Sequence, residues 1–362
     1  MSMRYQAGIL TASHFPLKTP SAPTIGAATV GNAQVSVAFT APSDIGGGAI
    51  TSYQVVVTDS SSGAVFTNTG ASSPIVVTGL TNGNTYTAKV AATNAFGTGP
   101  YSSNSASFSP LTQGQQAYTT SGTYSWVAPS GVTSVSVVAV GAGSGRKDWS
   151  SEGKAGGGGG ALAYINNYTV TPGNSYTVIV GGTGFSSSGG ASTFISSAVL
   201  SAGGGTISST PYNGGIGGVV IAGTGYSGGN GGNVGGASSV ASGGGGAGGY
   251  AGVGGNGAGI GSSGGTGAGG AGGGGAVTDT PTSWSGGRGG GVGILGQGSN
   301  GTGGVFYGTN PGTVQGGAGS GGSGQLYGAG GGTTSADAGG GAVRIIWPGT
   351  SRSFPSTNTG DL

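Results

Sequence analysis

Between Ser21 and Pro110 apolar and polar residues alternate in short runs separated by Gly, Pro, Asn and Asp, the pattern of an all-β sandwich. The runs predict strands over Thr24 to Val30, Gln34 to Thr40, Ile50 to Asp59, Ser73 to Val77, Tyr86 to Thr93 and Ser103 to Phe108. Alternation puts Val35, Val37 and Phe39 on one face of the second run, and Tyr86, Ala88, Val90 and Ala92 on one face of the fifth. Those two faces are enough to close a core. A second β region follows. Tyr124 alternates with Trp126, and Val135 with Val137 and Ala139. The run ALAYINNYTVTPGNSYTVIVGG predicts a hairpin with Pro172 and Gly173 at the centre of a type II turn. STFISSAVLSA adds a strand-like run, and AVRIIW, Ala342 to Trp347, restores a strand after a long glycine tract, with Val343, Ile345 and Trp347 on one face. Strands on both sides of the tract predict a small β base, closed by the last strand, from which the tract projects as one insertion.

The tract, about Gly203 to Gly341, fits neither a strand nor an α-helix. In its densest part, stepping by threes from Gly243 to Gly273 meets Gly at ten of eleven positions, the exception being Ala258. A period of three matches the left-handed polyproline II helix, which has no internal hydrogen bonds. Its N–H and C=O groups then need partners on neighbouring passes or in water. Ordering a residue costs about 1–2 kcal/mol, against about 0.5–1.5 returned by a net hydrogen bond. The balance is near zero, and a disordered linker is the alternative. The phase of the glycines, kept from Gly243 to Gly273, favours an ordered lattice. Collagen is disfavoured by the absence of Pro between Gly243 and Gly275. With no side chains to bury inside such a lattice, its bulky residues are expected on outer faces or at turns.

Composition narrows the function classes. A length of 362 residues fits two to three domains. Charged residues make up 4% of the chain and the net charge is +2, too little to steer a nucleic acid. There is no Cys, which removes disulfides, thiolate chemistry and Cys-based metal sites. No apolar stretch approaches the ~20 residues of a membrane span, and the patch Ala7 to Leu10 is shorter than a signal-peptide core.

Chemistry-bearing motifs are scarce. Gly141 and Gly143 are followed by Arg146 where a dinucleotide fingerprint needs Gly. The single His14 has no Cys or nearby carboxylate, so catalytic triads and His-based metal sites lack parts. Arg146 to Lys154 is the one charged cluster, placed in a loop around Trp149. It reads as a solvated loop or subunit contact, or as a ligand site with Trp149 stacking on a sugar and Asp148 or Glu152 accepting hydroxyls. No catalytic residue, metal or cofactor is expected.

Two resemblances add to this reading. PIVVTGLTNGNTYTAKVAATNAFGTGPYS resembles the second half of a fibronectin type III domain, which implies that Tyr86 caps a strand corner through its hydroxyl; Phe39 stands where that family usually has Trp. GTYSWVAPSGVTSVSVVAVGAG, YTVTPGNSYTVIVGG, the AGGGT at Ala202 to Thr206 and the closing GGGAVRIIW resemble the glycine-rich domain of bacteriophage tail-fibre proteins and adhesins. That likeness implies stacked polyglycine II helices on a β base, with loops that contact a host receptor. The whole arrangement looks like virion proteins of marine phages and cyanophages.

The expected organisation is a leader over 1–20, a fibronectin type III domain over 21–111, a glycine-rich domain over 115–348 and a tail over 349–362. Within the third, the base spans 117–200 plus 342–347. The expected function is non-enzymatic attachment of a virion to a host-surface glycan or protein through aromatic turns; the alternative is a structural fibre, decoration or connector subunit. The aromatic candidates are Trp149, Tyr212, Tyr226, Tyr250, Trp284, Phe306, Tyr307 and Tyr327. Tyr5, Ile9, Leu10 and Phe15 are the candidates for anchoring to other virion subunits. A homo-oligomer is expected, with no nucleic acid and no membrane insertion.

Overall fold

The computed structural model describes residues 17–149, 153–183, 186–210, 212–234, 242–259, 263–268, 277–278, 285–296, 327–330, 338–349 and 352–356. The chain divides into two compact units between Thr112 and Gln113, and every regular element described is a β-strand.

The first unit contains β1 (Thr24–Gly31), β2 (Gln34–Thr40), β3 (Ile50–Asp59), β4 (Val65–Gly70), β5 (Ile75–Thr78), β6 (Tyr86–Asn94) and β7 (Gly97–Thr98). One sheet runs β1-β2-β5 and the other β4-β3-β6-β7. The faces read from alternation meet between them: Val35, Val37 and Phe39 pack with Tyr86, Ala88, Val90 and Ala92. The buried Tyr86 hydroxyl accepts a hydrogen bond from the Thr81 amide at 2.9 Å, tying the preceding turn to β6. Phe39 fills its place by packing on Tyr53, ring centroids 4.7 Å apart.

Two expectations fail here. The edge strand β4 went unpredicted because VFTNTG keeps only Phe66 and Gly70 even half-buried and so carries no alternation. Residues 103–108 form no strand. Instead the amides of Ser102, Ser105 and Phe108 donate to the carbonyls of Val90, Ala88 and Tyr86. The Ser102 and Ser105 hydroxyls accept from the Val90 and Ala88 amides at 3.1 and 3.0 Å. Side-chain oxygens thus stand in for ladder carbonyls, and every third residue engages the neighbour.

Asp59 closes the β3–β4 turn. Its carboxylate accepts from the Ser61 hydroxyl at 2.6 Å, from the Asn84 carboxamide at 2.8 Å and from the Ser61 and Ser62 amides. These bonds hold the carboxyl well below the usual carboxylate range, the Ser61 hydroxyl contributing most. A depressed folded-state value means the stabilisation is complete above the unfolded value of about 3.9 and is lost as pH falls towards the folded one. The thermal stability of the first unit is therefore expected to fall as the pH drops below about 4 in the native chain. Asp59→Asn should flatten that dependence.

The second unit contains β8 (Gly114–Tyr118), β9 (Gly122–Val127), β10 (Ser134–Val140), β11 (Lys147–Trp149), β12 (Gly153–Ala155), β13 (Leu162–Thr169) and β14 (Ser175–Val180). After these come β15 (Ser192–Phe194), β16 (Leu200–Ala202), β17 (Val220–Ala222), β18 (Thr224–Tyr226), β19 (Val277–Thr278), β20 (Ser285–Gly286) and β21 (Ala342–Trp347). Two five-stranded sheets, β18-β13-β10-β21-β8 and β17-β16-β15-β14-β9, face each other. Val135, Val137, Ala139, Val343, Ile345 and Trp347 lie in the core between them with Trp126, Val178 and Phe194.

As expected, the last strand closes the base: β21 inserts between β10 and β8. The expected hairpin does not form. Thr171 to Asn174 does make the turn, with Gly173 at φ +82° and the Asn174 amide donating to the Thr171 carbonyl. However, β13 and β14 belong to opposite sheets, so this turn is a corner that carries the chain across the core. STFISSAVLSA is itself a hairpin, β15 paired with β16. All seven residues of β10 are buried, because its outer face is covered too. Val138, Val140, Leu162, Ala342 and Ile346 pack there against Ala247, Tyr250, Val292, Ile294, Tyr327 and Phe354.

The glycine passes form a hydrogen-bonded lattice with a three-residue period. The pass 156–161 shows it most fully. Its carbonyls at 156 and 159 accept from Gly215 and Gly218, those at 157 and 160 from Gly245 and Gly248, and those at 158 and 161 from Ser144 and Gly141. Its amides at 159, 160 and 161 donate to Gly229, Gly328 and Gly203. Each third residue therefore faces the same neighbour, and several passes surround this one. The lattice begins at Gly141, well before the expected Gly203, and recruits stretches lying between strands of the base.

The sequence phase has a direct structural meaning. Gly243, Gly246 and Gly249 donate to Ala258, Gly255 and Gly252, so the strictest glycine column is the seam between two antiparallel passes. Glycine is required in pass 156–161 by contact. A Cβ on Gly159 would lie 2.0 Å from the Gly246 carbonyl oxygen, and one on Gly160 1.9 Å from that of Gly141. Where passes diverge, serine splices the network. Ser242 Oγ accepts from the Gly156 amide at 2.8 Å and donates to the Gly232 carbonyl at 2.5 Å. Ser144 Oγ likewise links the Gly158 amide to the Thr206 carbonyl, both at 2.8 Å.

Candidate binding surface on the lattice edge

A lattice of this kind ends in amides with no further pass to accept them. On the edge formed by 214–218 and 228–233, asparagine supplies the acceptor. The Gly217 amide donates to Asn230 Oδ1 at 2.8 Å, and the Gly214 amide to Asn233 Oδ1 at 2.9 Å. One pass further, the Asn230 amide donates to Asn256 Oδ1 at 2.9 Å. All three asparagines are exposed. Their positions were legible in principle: Asn230 and Asn233 are three residues apart, one period of the lattice. Sequence reasoning passed over them because asparagine among glycines reads as loop chemistry.

The same edge carries large apolar side chains in water. Ile216 is 63% exposed, Val219 57%, Ile221 55% and Tyr226 39%; Val253, at the bend between passes 243–248 and 254–258, is 55% exposed. The segment 214–226 starts as a lattice pass and continues as β17 and β18, the outermost strands of the two sheets. Strand pairing fixes its backbone, β17 to β16 and β18 to β13.

The sequence candidates separate sharply on this frame. Tyr226 is exposed. Tyr250 and Tyr327, expected on outer faces, are 2% and 6% exposed because they fill the layer between lattice and base, which corrects their assignment as receptor contacts. Tyr212 is half-buried at φ +72° and packs on Ala155 and Val234. Trp149 lies in β11, opposite Gly153, so the charged cluster is in part a short hairpin and not a loop. Trp284, Phe306 and Tyr307 fall outside the described residues, as do Tyr5, Ile9, Leu10 and Phe15. Among the described residues no three His, Cys, Asp or Glu side chains come together, and no helix is long and apolar enough to cross a membrane.

A family model described as fibronectin type III domain matches residues 20–108. No curated protein matches the chain. Among solved structures, the twitchin kinase region from C. elegans is similar at 19% identity, over 25% of this chain and 17% of that one, with a TM-score of 0.24. A titin segment is similar at 23% identity over 25% and 32% of the two chains, TM-score 0.23. The FN1-FN3 domains of chicken CNTN1 are similar at 14% identity over 44% and 60%, TM-score 0.24. This chain spans less than two thirds of the length of each. The family match agrees with the two antiparallel sheets and with the bond from Thr81 to Tyr86, and residues 20–108 form a fibronectin type III domain.

Proposed function

We propose that the chain is a non-enzymatic adhesion protein of a bacteriophage virion, an external tail-fibre type component in which the fibronectin type III domain is a spacer and the lattice a display platform. The observation that carries this reading is the edge segment 214–226: Ile216, Val219, Ile221 and Tyr226 stand in water on a backbone fixed by lattice bonds and strand pairing. The folded core does not use them, and rigid presentation lowers the cost of binding. The lattice suits variable display because its interior is held by backbone bonds, so edge side chains can change without disturbing a side-chain core. The attachment surface is therefore an aliphatic edge with one exposed tyrosine.

The test is adsorption of the labelled full chain to a panel of bacterial isolates. The chain is expected to bind some isolates, and Ile216→Ser, Ile221→Ser and Tyr226→Ser combined should weaken binding at least about tenfold with the melting temperature unchanged. Binding to no isolate, or equal binding by the triple variant, overturns the assignment. A structural subunit is the second reading, favoured by the same exposed residues if copies of the chain bury them. Light scattering then gives an oligomer that the triple variant dissolves.

A further inference from the structure

Beside the capped edge lies a groove of about 510 Å³ with no ionisable side chain among the described residues that line it. Its walls are the segment 206–210, the pass 213–216 and the outer column of 230–233. We infer that this groove is a binding site for an uncharged saccharide. The inference deepens the adhesive reading and rests on it for the biological source of the ligand.

Three features select that ligand class. First, the carboxamides of Asn230 and Asn233 are oriented by the lattice. The Gly217 and Gly214 amides can only donate, so each carboxamide must turn its oxygen inward to them and present its Nδ2 donors outward. Three residues at a rise of 3.1 Å place the two about 9 Å apart on one column. Two fixed donors at that spacing match the hydroxyl and ring oxygens of an oligosaccharide. Second, the opposite wall is held by its own bonds. Thr206 Oγ1 accepts from the Ile216 amide at 3.2 Å, Ser208 Oγ donates to the Thr210 carbonyl at 2.6 Å, and Asn213 Nδ2 donates to Thr210 Oγ1 at 2.9 Å. Such a wall loses little freedom on binding. Third, Ile216 lines the groove and is 63% exposed, an apolar surface for the C–H face of a sugar ring.

The same features disfavour other occupants. Among the described residues no Lys or Arg lines the groove to pair with phosphate, sulfate or carboxylate. A further glycine pass, from a second copy or a peptide, would need the Gly214 and Gly217 amides that the asparagines already occupy.

Asn230→Asp and Asn233→Asp separate binding from folding, since aspartate keeps the oxygen that caps the glycine amide and removes the outward donors. The full chain is applied to an array of neutral and acidic glycans, and hits are titrated by calorimetry. Neutral oligosaccharides are expected to bind, each aspartate variant at least about tenfold more weakly, and Ile216→Ser also more weakly, with thermal unfolding of the aspartate variants unchanged. An array without hits, binding restricted to acidic glycans, or a neutral hit whose affinity survives both aspartate variants overturns the inference. Cells that still adsorb the aspartate variants remove the groove and leave the adhesive reading standing. A neutral saccharide bound by a chain that adsorbs to no isolate does the reverse.

Discussion

Gly159→Ala is expected to destabilise the second unit by about 3 kcal/mol or more, above the usual 1–3 kcal/mol of an overpacked core. The added Cβ would sit 2.0 Å from the Gly246 carbonyl oxygen and 2.5 Å from its carbon. In a side-chain core a neighbour can rotate aside. Here both contacts are backbone, so the passes must separate. Separation strains the bonds from Gly159 to Gly229 and from Gly218 to Gly159, and loosens every pass that borders 156–161. A fall of roughly 6–12 °C in the unit's melting temperature is the expected reading. Gly340→Ala is the control, because a Cβ there meets nothing within 4 Å. Equal melting of the two variants would refute a close-packed lattice.

The second large effect is expected at Tyr250. Its ring stacks on Phe354 with centroids 5.7 Å apart and lies 6.0 Å from that of Tyr164, at 2% exposure. The hydroxyl donates to the Gly293 carbonyl and accepts from the Gly296 amide, both at 3.3 Å. Burial drives the phenol well above its ordinary pKa, so it stays a neutral hydrogen-bonding group at any working pH. Tyr250→Ala should cost about 3–5 kcal/mol through the cavity it opens, and Tyr250→Phe only about 1 kcal/mol for the lost bonds. The loss should appear first as faster amide exchange in passes 243–248 and 287–291 and only later in β15 and β16. Uniform exchange across the unit would show instead that lattice and base unfold as one body.

How far the sequence could be read follows from which contacts leave a period behind. β2 and β3 were legible because one face of each meets a core, whereas β10 and β21 showed only half their packing because both faces of each do. The corner at Pro172 was misread as a hairpin since turn residues encode a local bend, while the choice of sheet depends on distant partners. The seam between passes was legible in the Gly243 column. The start of the lattice at Gly141 was not, because short glycine runs between strands carry too few repeats to show a phase. Glycine passes with nothing to bury predict Tyr250 and Tyr327 on the outside, but the lattice has a second neighbour, the outer face of β10 and β21, and both rings fill the layer between.

The pairing of β8 with β21 has a mechanical consequence. The register sets Gly114 opposite Trp347, so the point where the polypeptide enters this unit and the point where its closing strand finishes lie side by side. Tension applied through those two points pulls the ladder apart one rung at a time, from that end, and does not shear its rungs together. The glycine array hangs as a pendant off the line of force, and yields only after the clasp has opened.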